Sequence, residues 1–351
     1  MKKPPKIILF IVAFFILLIT GYYVYQLFII PKLTKLNTPT FQYPRQSVVY
    51  NFFIRATTGS MIVTFGDKDM PASQLTTELE KDLQNIKSAG FDGIKLDYYF
   101  GTDTDFNNYL VNRVALHAAK QGLYPIGVLY GGKNKPKDRP FTAEEMANWQ
   151  KFVAEEVENN KNIIYFWEIW NEPSIELFKY GSPEDFVELL KATYPVIKKA
   201  NPNAKVIVTL SAEGRDNTGF EDKVLALGGG DYFDILSFHP YGANPYLQEK
   251  LIKEAIAREK SLVAKYNNRW LLVISEIGQP VSEVLEEEQA RLAKFLYTEA
   301  AKNNLPVTWY YWSDERLPKD YEGTGGGANW GLIRYDGTKR PVFDVIKEFL
   351  Q

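Results

Sequence analysis

Two glutamates in this chain each follow directly after an apolar segment that has no evident need of a charge. The run Tyr-Phe-Trp-Glu-Ile-Trp leads into Asn171, Glu172 and a proline, and a second apolar run leads through a serine to Glu276. Such aromatic and branched residues favour buried strands, and a proline cannot continue a strand ladder. Both glutamates are therefore predicted to lie at strand ends, where their carboxylates are available for chemistry.

Two carboxylates delivered to the same end of a sheet can flank one bond. A retaining glycosidase needs such a pair, because one carboxylic acid protonates the leaving oxygen while the other carboxylate attacks the anomeric carbon. The two carboxyl groups must then lie about 5–5.5 Å apart. A single Glu at a strand end is commonly a surface residue or a helix cap, so neither glutamate is convincing alone. Their equivalent positions favour catalysis.

The glutamates belong to a regular alternation of strand and helix signals. Strand-like runs cover residues 91–100, 124–130, 162–170, 204–210, 233–238, 270–275 and 306–312. Helical patterns or long connections separate them, and a capping box of Thr142 and Glu145 marks one helix start. One further strand is needed upstream, and both residues 47–54 and residues 61–65 qualify; the two could also pair as a hairpin.

This alternation predicts a parallel sheet with helices outside it, and eight such units in about 300 residues fit a (β/α)8 TIM barrel. A doubly wound open sheet is the alternative, but no Gly-x-Gly-x-x-Gly follows the first strand. Active sites of TIM barrels lie at the C-terminal ends of the strands. Glu172 would end the fourth strand and Glu276 the seventh, so both would face the same mouth.

The Trp-Asn-Glu-Pro motif at Glu172 and the Ser-Glu-Ile-Gly motif at Glu276 resemble those of clan A retaining glycoside hydrolases, especially families 39 and 5. The resemblance covers roughly residues 91–343 and includes the order and spacing of the motifs. It implies that Glu172 is the general acid/base, that Glu276 is the nucleophile and that Asn171 binds the sugar 2-hydroxyl. It also implies a raised pKa for Glu172 and an ionised Glu276.

Further substrate-binding residues are implied by the same resemblance. In the segment Ser-Phe-His-Pro-Tyr after the sixth strand, Tyr241 would bond the nucleophile and His239 would lie near the acid/base. In the eighth strand, Trp312 matches the family's aromatic platform better than Trp309 because it is nearer the strand end, although either could instead pack between barrel and helices. Trp330, at the end of a Gly-rich loop, is a further candidate for covering the substrate.

Period-two alternation in the fourth strand puts Glu168, Trp170 and Glu172 on one side. Glu168 would then face the barrel interior, where a lone charge is costly. We expect it to pair with Lys95 on the second strand. A lysine at this place departs from the arginine that family 5 members carry there.

The N-terminal segment predicts a membrane anchor. Residues 7–30 are almost entirely apolar and follow three lysines, and about 20 apolar residues are enough to span a bilayer. We predict a cytoplasmic tip and signal-anchor at residues 1–30, a stem at 31–46 and a catalytic domain at 47–351. This arrangement makes a single-pass protein of the cell membrane with its catalytic domain on the extracytoplasmic side; the alternative is secretion after signal cleavage.

Composition narrows the possible cofactors and partners. The chain has no cysteine and only two histidines, which excludes disulfides and thiolate or His-rich metal centres, and we predict neither a metal nor a cofactor. Seven Lys or Arg residues precede the first acidic residue, Asp67, although the formal net charge is −2. The body that follows is therefore acidic, which argues against nucleic acid as a partner.

The sequence thus predicts a retaining glycoside hydrolase that cleaves β-glycosidic bonds of an extracellular or envelope oligo- or polysaccharide by double displacement. A transglycosylase would use the same glycosyl-enzyme intermediate and is one alternative. A non-catalytic glycan-binding barrel is the other.

Overall fold

The computed structural model describes residues 47–50, 54–56, 62–65, 68–71, 75–101, 105–131, 139–175, 178–212, 219–242, 248–267, 269–281, 284–314, 329–334 and 336–351. All of them fall within one unit of the chain, Tyr43–Gln351. The predicted anchor and stem, residues 1–46, lie outside the described residues. Within the described ranges, no helix has both the length and the apolar character needed to cross a bilayer.

Most strands of the described chain form a closed barrel. The strands are β1 (Ser47–Tyr50), β2 (Ile54–Ala56), β3 (Ile62–Phe65), β4 (Lys68–Pro71), β5 (Gly93–Tyr99), β6 (Tyr124–Tyr130), β7 (Phe166–Ile169), β8 (Lys205–Ser211), β9 (Ile235–Phe238), β10 (Leu271–Ile277) and β11 (Val307–Tyr310). β1 and β5 to β11 are parallel neighbours in chain order, and β1 closes the ring by pairing with both β11 and β5. The predicted TIM barrel is confirmed, and an open sheet is excluded.

The first barrel strand is the earlier of the two candidates. Ser47–Tyr50 supplies β1, whereas Ile62–Phe65 lies in a separate antiparallel sheet of order β2-β3-β4. The antiparallel pairing of β2 with β3 agrees with the hairpin considered from the sequence. Because this small sheet follows β1 in the chain, it begins on the side of the barrel at which the strands end.

Helices separate most of the barrel strands. In the described residues they are α1 (Leu75–Ser88), α2 (Asp105–Lys120), α3 (Ala143–Asn159), α4 (Pro183–Ala200), α5 (Phe220–Ala226), α6 (Gln248–Tyr266), α7 (Glu286–Asn303) and α8 (Pro341–Leu350). The predicted capping box of α3 is present: the Glu145 N–H donates to the Thr142 hydroxyl, and the Glu145 carboxylate accepts from the Thr142 N–H. Each such bond satisfies a donor that the first helical turn leaves free.

The barrel interior changes from apolar to polar along the strands. One buried cluster fills its lower part: Ile126, Phe166, Ile207, Ile235 and Val273. Side chains two positions further along a strand point to the same side. On four of these strands the next inward residues are polar or charged, namely Glu168, Thr209, Ser237 and Ser275, and all four are buried. The apolar layer closes the bottom of the barrel, and the polar layer faces its C-terminal mouth.

A buried ion pair joins the end of the barrel to α8. The Asp314 carboxylate accepts hydrogen bonds from Arg340 at 2.6 and 2.8 Å and from the backbone N–H of Gly331 at 2.9 Å. Both charged side chains are about 95% buried or more. The chain therefore leaves the barrel at Asp314 and returns at Gly331 to the same carboxylate, which fixes the neighbouring Trp330.

We expect Arg340→Ala to lower the free energy of unfolding by about 3–5 kcal/mol, because it leaves the Asp314 carboxylate buried without its partner. Urea denaturation monitored by tryptophan fluorescence measures this change. Arg291→Ala is the matched control, because Arg291 pairs with Glu249 and Glu288 at the surface and should cost at most about 1 kcal/mol. Equal losses in the two variants would contradict a structural role for the buried pair.

Candidate active site

The first predicted catalytic carboxylate is presented by a sharp turn at the end of β7. The strand ends at Ile169, and the following residues include two with left-handed backbone, Trp170 at φ 65° and Glu172 at φ 43°. Such conformations are strained for residues other than glycine and are often found at functional sites. The turn aims Glu172 into the barrel mouth, where its side chain is buried.

This turn corrects the predicted orientation of Trp170. Strict alternation puts Trp170 on the same side as Glu168, but its indole lies 5.8 Å from Trp149 of α3 and 4.9 Å from Tyr180, measured between ring centroids. Its indole N–H also donates to the Phe178 carbonyl at 2.7 Å. The left-handed backbone at Trp170 ends the period-two alternation, so the indole packs in the helix layer and not in the barrel interior.

The second carboxylate is delivered by an irregular end of β10. The pairing of β10 with β11 shifts register between Ile274 and Ile277. Bulges of this kind re-aim side chains near active sites. Here the irregularity lets two consecutive residues, Ser275 and Glu276, both contact residues of the barrel mouth: the Ser275 hydroxyl contacts His239, and the Glu276 carboxylate accepts from the Tyr241 hydroxyl at 3.2 Å.

The two predicted catalytic glutamates converge. A carboxylate oxygen of Glu172, a ring nitrogen of His239 and a carboxylate oxygen of Glu276 all lie within 4.8 Å of one another. This separation is close to the 5–5.5 Å of retaining enzymes, and shorter than the roughly 6.5–9.5 Å that leaves room for a water in inverting enzymes. These three residues come from the ends of three different strands, and the fold brings them together at one mouth of the barrel.

His239 connects the acid/base candidate to the barrel interior. Its Nδ1 lies 2.7 Å from Glu172 Oε1, and its Nε2 lies 2.9 Å from the Ser275 hydroxyl. Two carboxylates and an imidazole clustered in this way can also bind a cation, but both ring nitrogens of His239 already lie within hydrogen-bond distance of Glu172 and Ser275. The arrangement therefore fits proton sharing better than metal ligation, and the absence of a metal requirement stays a prediction.

The electrostatics of Glu276 differ from the sequence-based expectation of an ionised nucleophile. The pKa of Glu276 is raised to about 7, mainly by burial and to a smaller extent by the charges of Glu172 and Glu168, while His239 and Lys95 act in the opposite direction. Desolvation thus outweighs the stabilising charges of His239 and Lys95. The carboxylate gains its charge only as the pH rises through about 7.

Asn171 and Tyr241 occupy positions that suit their predicted contacts. The side-chain oxygen of Asn171 is buried and, among the described residues, accepts no hydrogen bond. A buried acceptor without a partner costs free energy, so a substrate hydroxyl at this point would satisfy it. Tyr241 contacts Glu276, as the resemblance implied.

The predicted role of Trp312 is not supported by its position. Its indole is buried edge-on against Phe91 and against Phe343 of α8, at centroid distances of 6.1 and 6.0 Å. Trp312 thus belongs to the packing between barrel and helices, which was the alternative considered from the sequence. Trp309, the other candidate, is completely buried as well.

Two further aromatic residues, Tyr310 and Trp330, pack against each other, and Trp330 also packs against Tyr241; no signal in the sequence pointed to Tyr310. The Tyr310 phenol has a raised pKa, mainly through burial and then through the charges of Tyr311 and Glu276. Trp330 packs edge-on against Tyr310 at 5.5 Å and against Tyr241 at 5.9 Å. Close packing holds this group together, since a Cβ at Gly278 would lie 2.1 Å from the Tyr310 carbonyl oxygen.

The predicted contact between Lys95 and Glu168 is confirmed, with a separation of 2.8 Å between Nζ and Oε2. Both side chains are almost completely buried. The ion pair lies beneath the mouth, and Lys95 also donates to the Ser275 carbonyl at 3.2 Å.

The raised pKa of Glu276 predicts a pH-dependent contribution to stability. A carboxyl group whose pKa is higher in the folded state stabilises that state below pH 4.5 and loses this contribution as the pH rises through about 7. Glu276→Gln removes the titration, so its stability relative to the wild type should increase by about 3 kcal/mol over this range. Urea denaturation of both proteins at several pH values measures the difference. The exposed Glu254→Gln is the control, and a flat difference for Glu276→Gln would contradict the shift.

Comparisons with known proteins agree with this fold. Residues 76–316 match the model of Cellulase (glycosyl hydrolase family 5). None of the curated protein sequences compared with this chain matches it significantly. Many solved structures share its fold, and a family 39 glycoside hydrolase from the gut symbiont Bacteroides cellulosilyticus WH2 is one of them, with 21% identity and a TM-score of 0.63. The match covers 88% of this chain but only 63% of that protein.

Two GH5_18 proteins are similar in the same way. The one from Bifidobacterium longum subsp. longum has 14% identity and a TM-score of 0.64, over 88% of this chain and 78% of its own. The one from Streptomyces cattleya has 13% identity and a TM-score of 0.62, over 88% and 80%. At these identities the structures establish the fold, while the family match covers more than half of the chain. The protein therefore belongs to glycosyl hydrolase family 5 and is a clan A O-glycosyl hydrolase, which confirms the resemblance inferred from its motifs.

Proposed function

We propose that the protein is a retaining enzyme that cleaves β-glycosidic bonds by double displacement, with Glu172 as general acid/base and Glu276 as nucleophile. The observation that carries this proposal is the approach of the two carboxylates to within 4.8 Å across one barrel mouth. An inverting mechanism would need a water between them and thus a wider separation.

In the first step, a Glu276 oxygen attacks the anomeric carbon from the face opposite the leaving group. The bond from that carbon to the leaving oxygen breaks, and the leaving oxygen takes the proton of Glu172. The product is a glycosyl ester of Glu276 and a free alcohol. Asn171 can donate to or accept from the sugar 2-hydroxyl, a contact that strengthens as the transition state forms.

In the second step, the Glu172 carboxylate accepts a proton from water while the water oxygen attacks the anomeric carbon. The ester bond breaks, Glu276 regains its carboxylate and Glu172 is again protonated. The sugar keeps its original configuration because two inversions have occurred. A sugar hydroxyl in place of water would give transglycosylation through the same intermediate.

The substrate class is proposed from linkage chemistry and from a structural relative. A GH5_18 protein with this fold forms a complex with Manβ1-4GlcNAc. We therefore propose a β-linked glycan of the cell envelope or its surroundings, with β-mannosides and β-glucosides as the first compounds to test. An acidic enzyme body suits a neutral glycan better than a polyanionic one.

Azide rescue should identify both carboxylates by the stereochemistry of the products. With an activated aryl β-glycoside, Glu276→Gly plus azide should give the α-glycosyl azide, because azide replaces the missing nucleophile. Glu172→Ala plus azide should give the β-glycosyl azide, because azide attacks the intact glycosyl-enzyme. Without azide, Glu172→Ala should lose about 10²–10⁴-fold in rate on substrates whose leaving group needs a proton. NMR of the products distinguishes the two anomers.

The wild type is the control for these assays and should form the β-anomer first, before mutarotation. An initial α-anomer would show inversion and would contradict double displacement. Azide products of the same configuration from both variants would contradict the assignment of roles. Adding a sugar acceptor to the wild type reveals any transglycosylation as longer products.

We also propose that the chain is anchored in the cell membrane by residues 7–30, with the enzyme on the extracytoplasmic side. The support is the length of this apolar segment and the lysines that precede it. The full-length chain expressed in bacteria should remain in the membrane fraction after an alkaline carbonate wash, and mass spectrometry should recover its N-terminal peptide. A soluble product that begins after the apolar segment would instead establish a cleaved signal.

A further inference from the structure

A layer of polar side chains inside the barrel lies directly beneath the predicted catalytic residues. Its members come from five strands and are at least 98% buried: Lys95, Glu168, Thr209, Ser237 and Ser275. No substrate reaches this depth in the mechanism described above, so the layer needs another explanation. Its hydrogen bonds run without a break from the ion pair up to His239 and Glu172.

The starting point of this chain of hydrogen bonds is an acceptor. Glu168 is paired with the Lys95 ammonium at 2.8 Å through one oxygen, and its other oxygen lies 2.6 Å from the Thr209 hydroxyl. An ionised carboxylate only accepts hydrogen bonds. Thr209 must therefore direct its single hydroxyl hydrogen towards Glu168.

The direction of the next bonds follows from this. Having given its hydrogen to Glu168, Thr209 can only accept from its other partners, which are the hydroxyls of Ser237 and Ser275. The Ser237 hydroxyl also lies 3.2 Å from the Val208 carbonyl oxygen, which competes for its single hydrogen. The Ser275 hydroxyl lies 3.1 Å away and must be the donor in that contact. Its oxygen is then left to accept a hydrogen bond on its other side.

The group on that other side is His239. Its Nε2 lies 2.9 Å from the Ser275 oxygen, and because Ser275 accepts here, Nε2 must carry a hydrogen. A neutral imidazole has one protonated nitrogen, so Nδ1 is left as an acceptor that faces Glu172 Oε1 at 2.7 Å. A single proton is then shared between Nδ1 and the Glu172 carboxyl group.

The opposite direction of the same bonds would have the opposite effect. If Ser275 donated to Nε2, the neutral ring would carry its hydrogen on Nδ1 and would donate it to an ionised Glu172. That arrangement would stabilise the carboxylate and remove the proton that a general acid must deliver. The direction of the hydrogen bonds therefore decides which form of Glu172 is favoured.

We infer that the buried Lys95–Glu168 pair, acting through the hydroxyls of Thr209 and Ser275, holds His239 with its hydrogen on Nε2 and thereby keeps a proton available to Glu172. The inference rests on the proposed role of Glu172 as acid/base. Lys95, Glu168, Thr209 and Ser275 are positioning residues in this scheme, because none of them touches the reacting atoms.

Other titratable groups also surround the shared proton. Ionisable side chains around the mouth are Glu276 on β10, Tyr241 after β9 and Tyr310 on β11, in addition to Lys95 and Glu168 below. Period-two alternation in β5 puts Asp97 on the same side of the strand as Lys95. They change the pH at which the Glu172–His239 pair loses its proton, but they do not set the direction of the hydroxyl bonds. The test must therefore read the protonated nitrogen itself as well as the pH profile.

The first measurement uses ¹⁵N NMR of the histidine rings in the full-length protein. Only His117 and His239 are present, so His117→Gln leaves a single imidazole to observe. We expect the His239 Nε2 to keep its hydrogen over the whole pH range of activity, with Nδ1 as the nitrogen that titrates. A neutral ring with a bare Nε2 in the wild-type background would overturn the inference, and this result needs no variant in the polar layer.

The second measurement compares Thr209→Val with Thr209→Ser. Valine has the shape of threonine but removes the hydroxyl, so Ser275 is free to donate to Nε2; serine keeps the hydroxyl. We expect Thr209→Val to show a bare Nε2 and to move the alkaline limb of the kcat/KM profile down by about one pH unit, the size expected for one hydrogen bond that favours one protonation state. Thr209→Ser should behave like the wild type in both respects.

Leaving groups separate this role from a merely structural one. Thr209→Val should lower kcat/KM on an aryl β-glycoside with a poor leaving group about tenfold above the shifted limb, but should leave a dinitrophenyl glycoside unchanged, because that leaving group needs no proton. Equal losses on both substrates, or an unchanged limb and an unchanged His239 spectrum, would overturn the inference. Failure of the proposed function is distinguishable, because it would appear in the azide products while the ¹⁵N result is independent of activity.

Discussion

A carboxylate enclosed in the barrel must be held by hydrogen bonds or by an opposite charge, since removing an ion from water costs several kcal/mol. This constraint acts on three glutamates in one interior. Glu168 meets it with the Lys95 ammonium, and Glu172 meets it through the His239 ring. Glu276 accepts a hydrogen bond from the Tyr241 phenol and lies beside both His239 and Glu172, and its pKa rises to about 7. Because their partners differ, the three carboxyl groups differ in how readily they hold a proton.

Much of this arrangement could be predicted because it follows from strand periodicity. The inward orientation of Glu168 and its pairing with Lys95 need only a period of two and the cost of a buried charge. The closed barrel follows from the alternation of elements, and the convergence of Glu172 and Glu276 follows from the common direction of parallel strands. These features depend on the regular parts of the chain, where local sequence determines geometry.

The errors lie where the backbone leaves that regular geometry. The Trp170 side chain points outward because its backbone is left-handed. A tryptophan at this position does not predict that conformation, which glycine and asparagine adopt far more often. Trp312 lies at the end of a predicted strand, the position at which an aromatic platform is expected, yet its indole packs against Phe91 and Phe343. The polar layer was overlooked except for its charges, since serine and threonine within a strand are unremarkable until their neighbours across the barrel are known. A count of inward small polar residues on adjacent strands is the signal that could have found it.

The Lys95–Glu168 ion pair below the mouth affects the direction of the hydrogen bonds above it more than the net charge at Glu276. Lys95 lowers the pKa of Glu276 and Glu168 raises it, so the two partly cancel at the nucleophile, whereas the hydrogen bonds that begin at Glu168 keep their polarity up to His239. The ion pair therefore removes little of the cost of burying the Glu276 carboxylate. Glycoside cleavage develops positive charge at the anomeric carbon, and a poorly solvated anion beside that carbon gains more from it than a well-solvated one would. The unfavourable environment of Glu276 before substrate binds is thus the condition under which its charge stabilises the transition state more than the ground state.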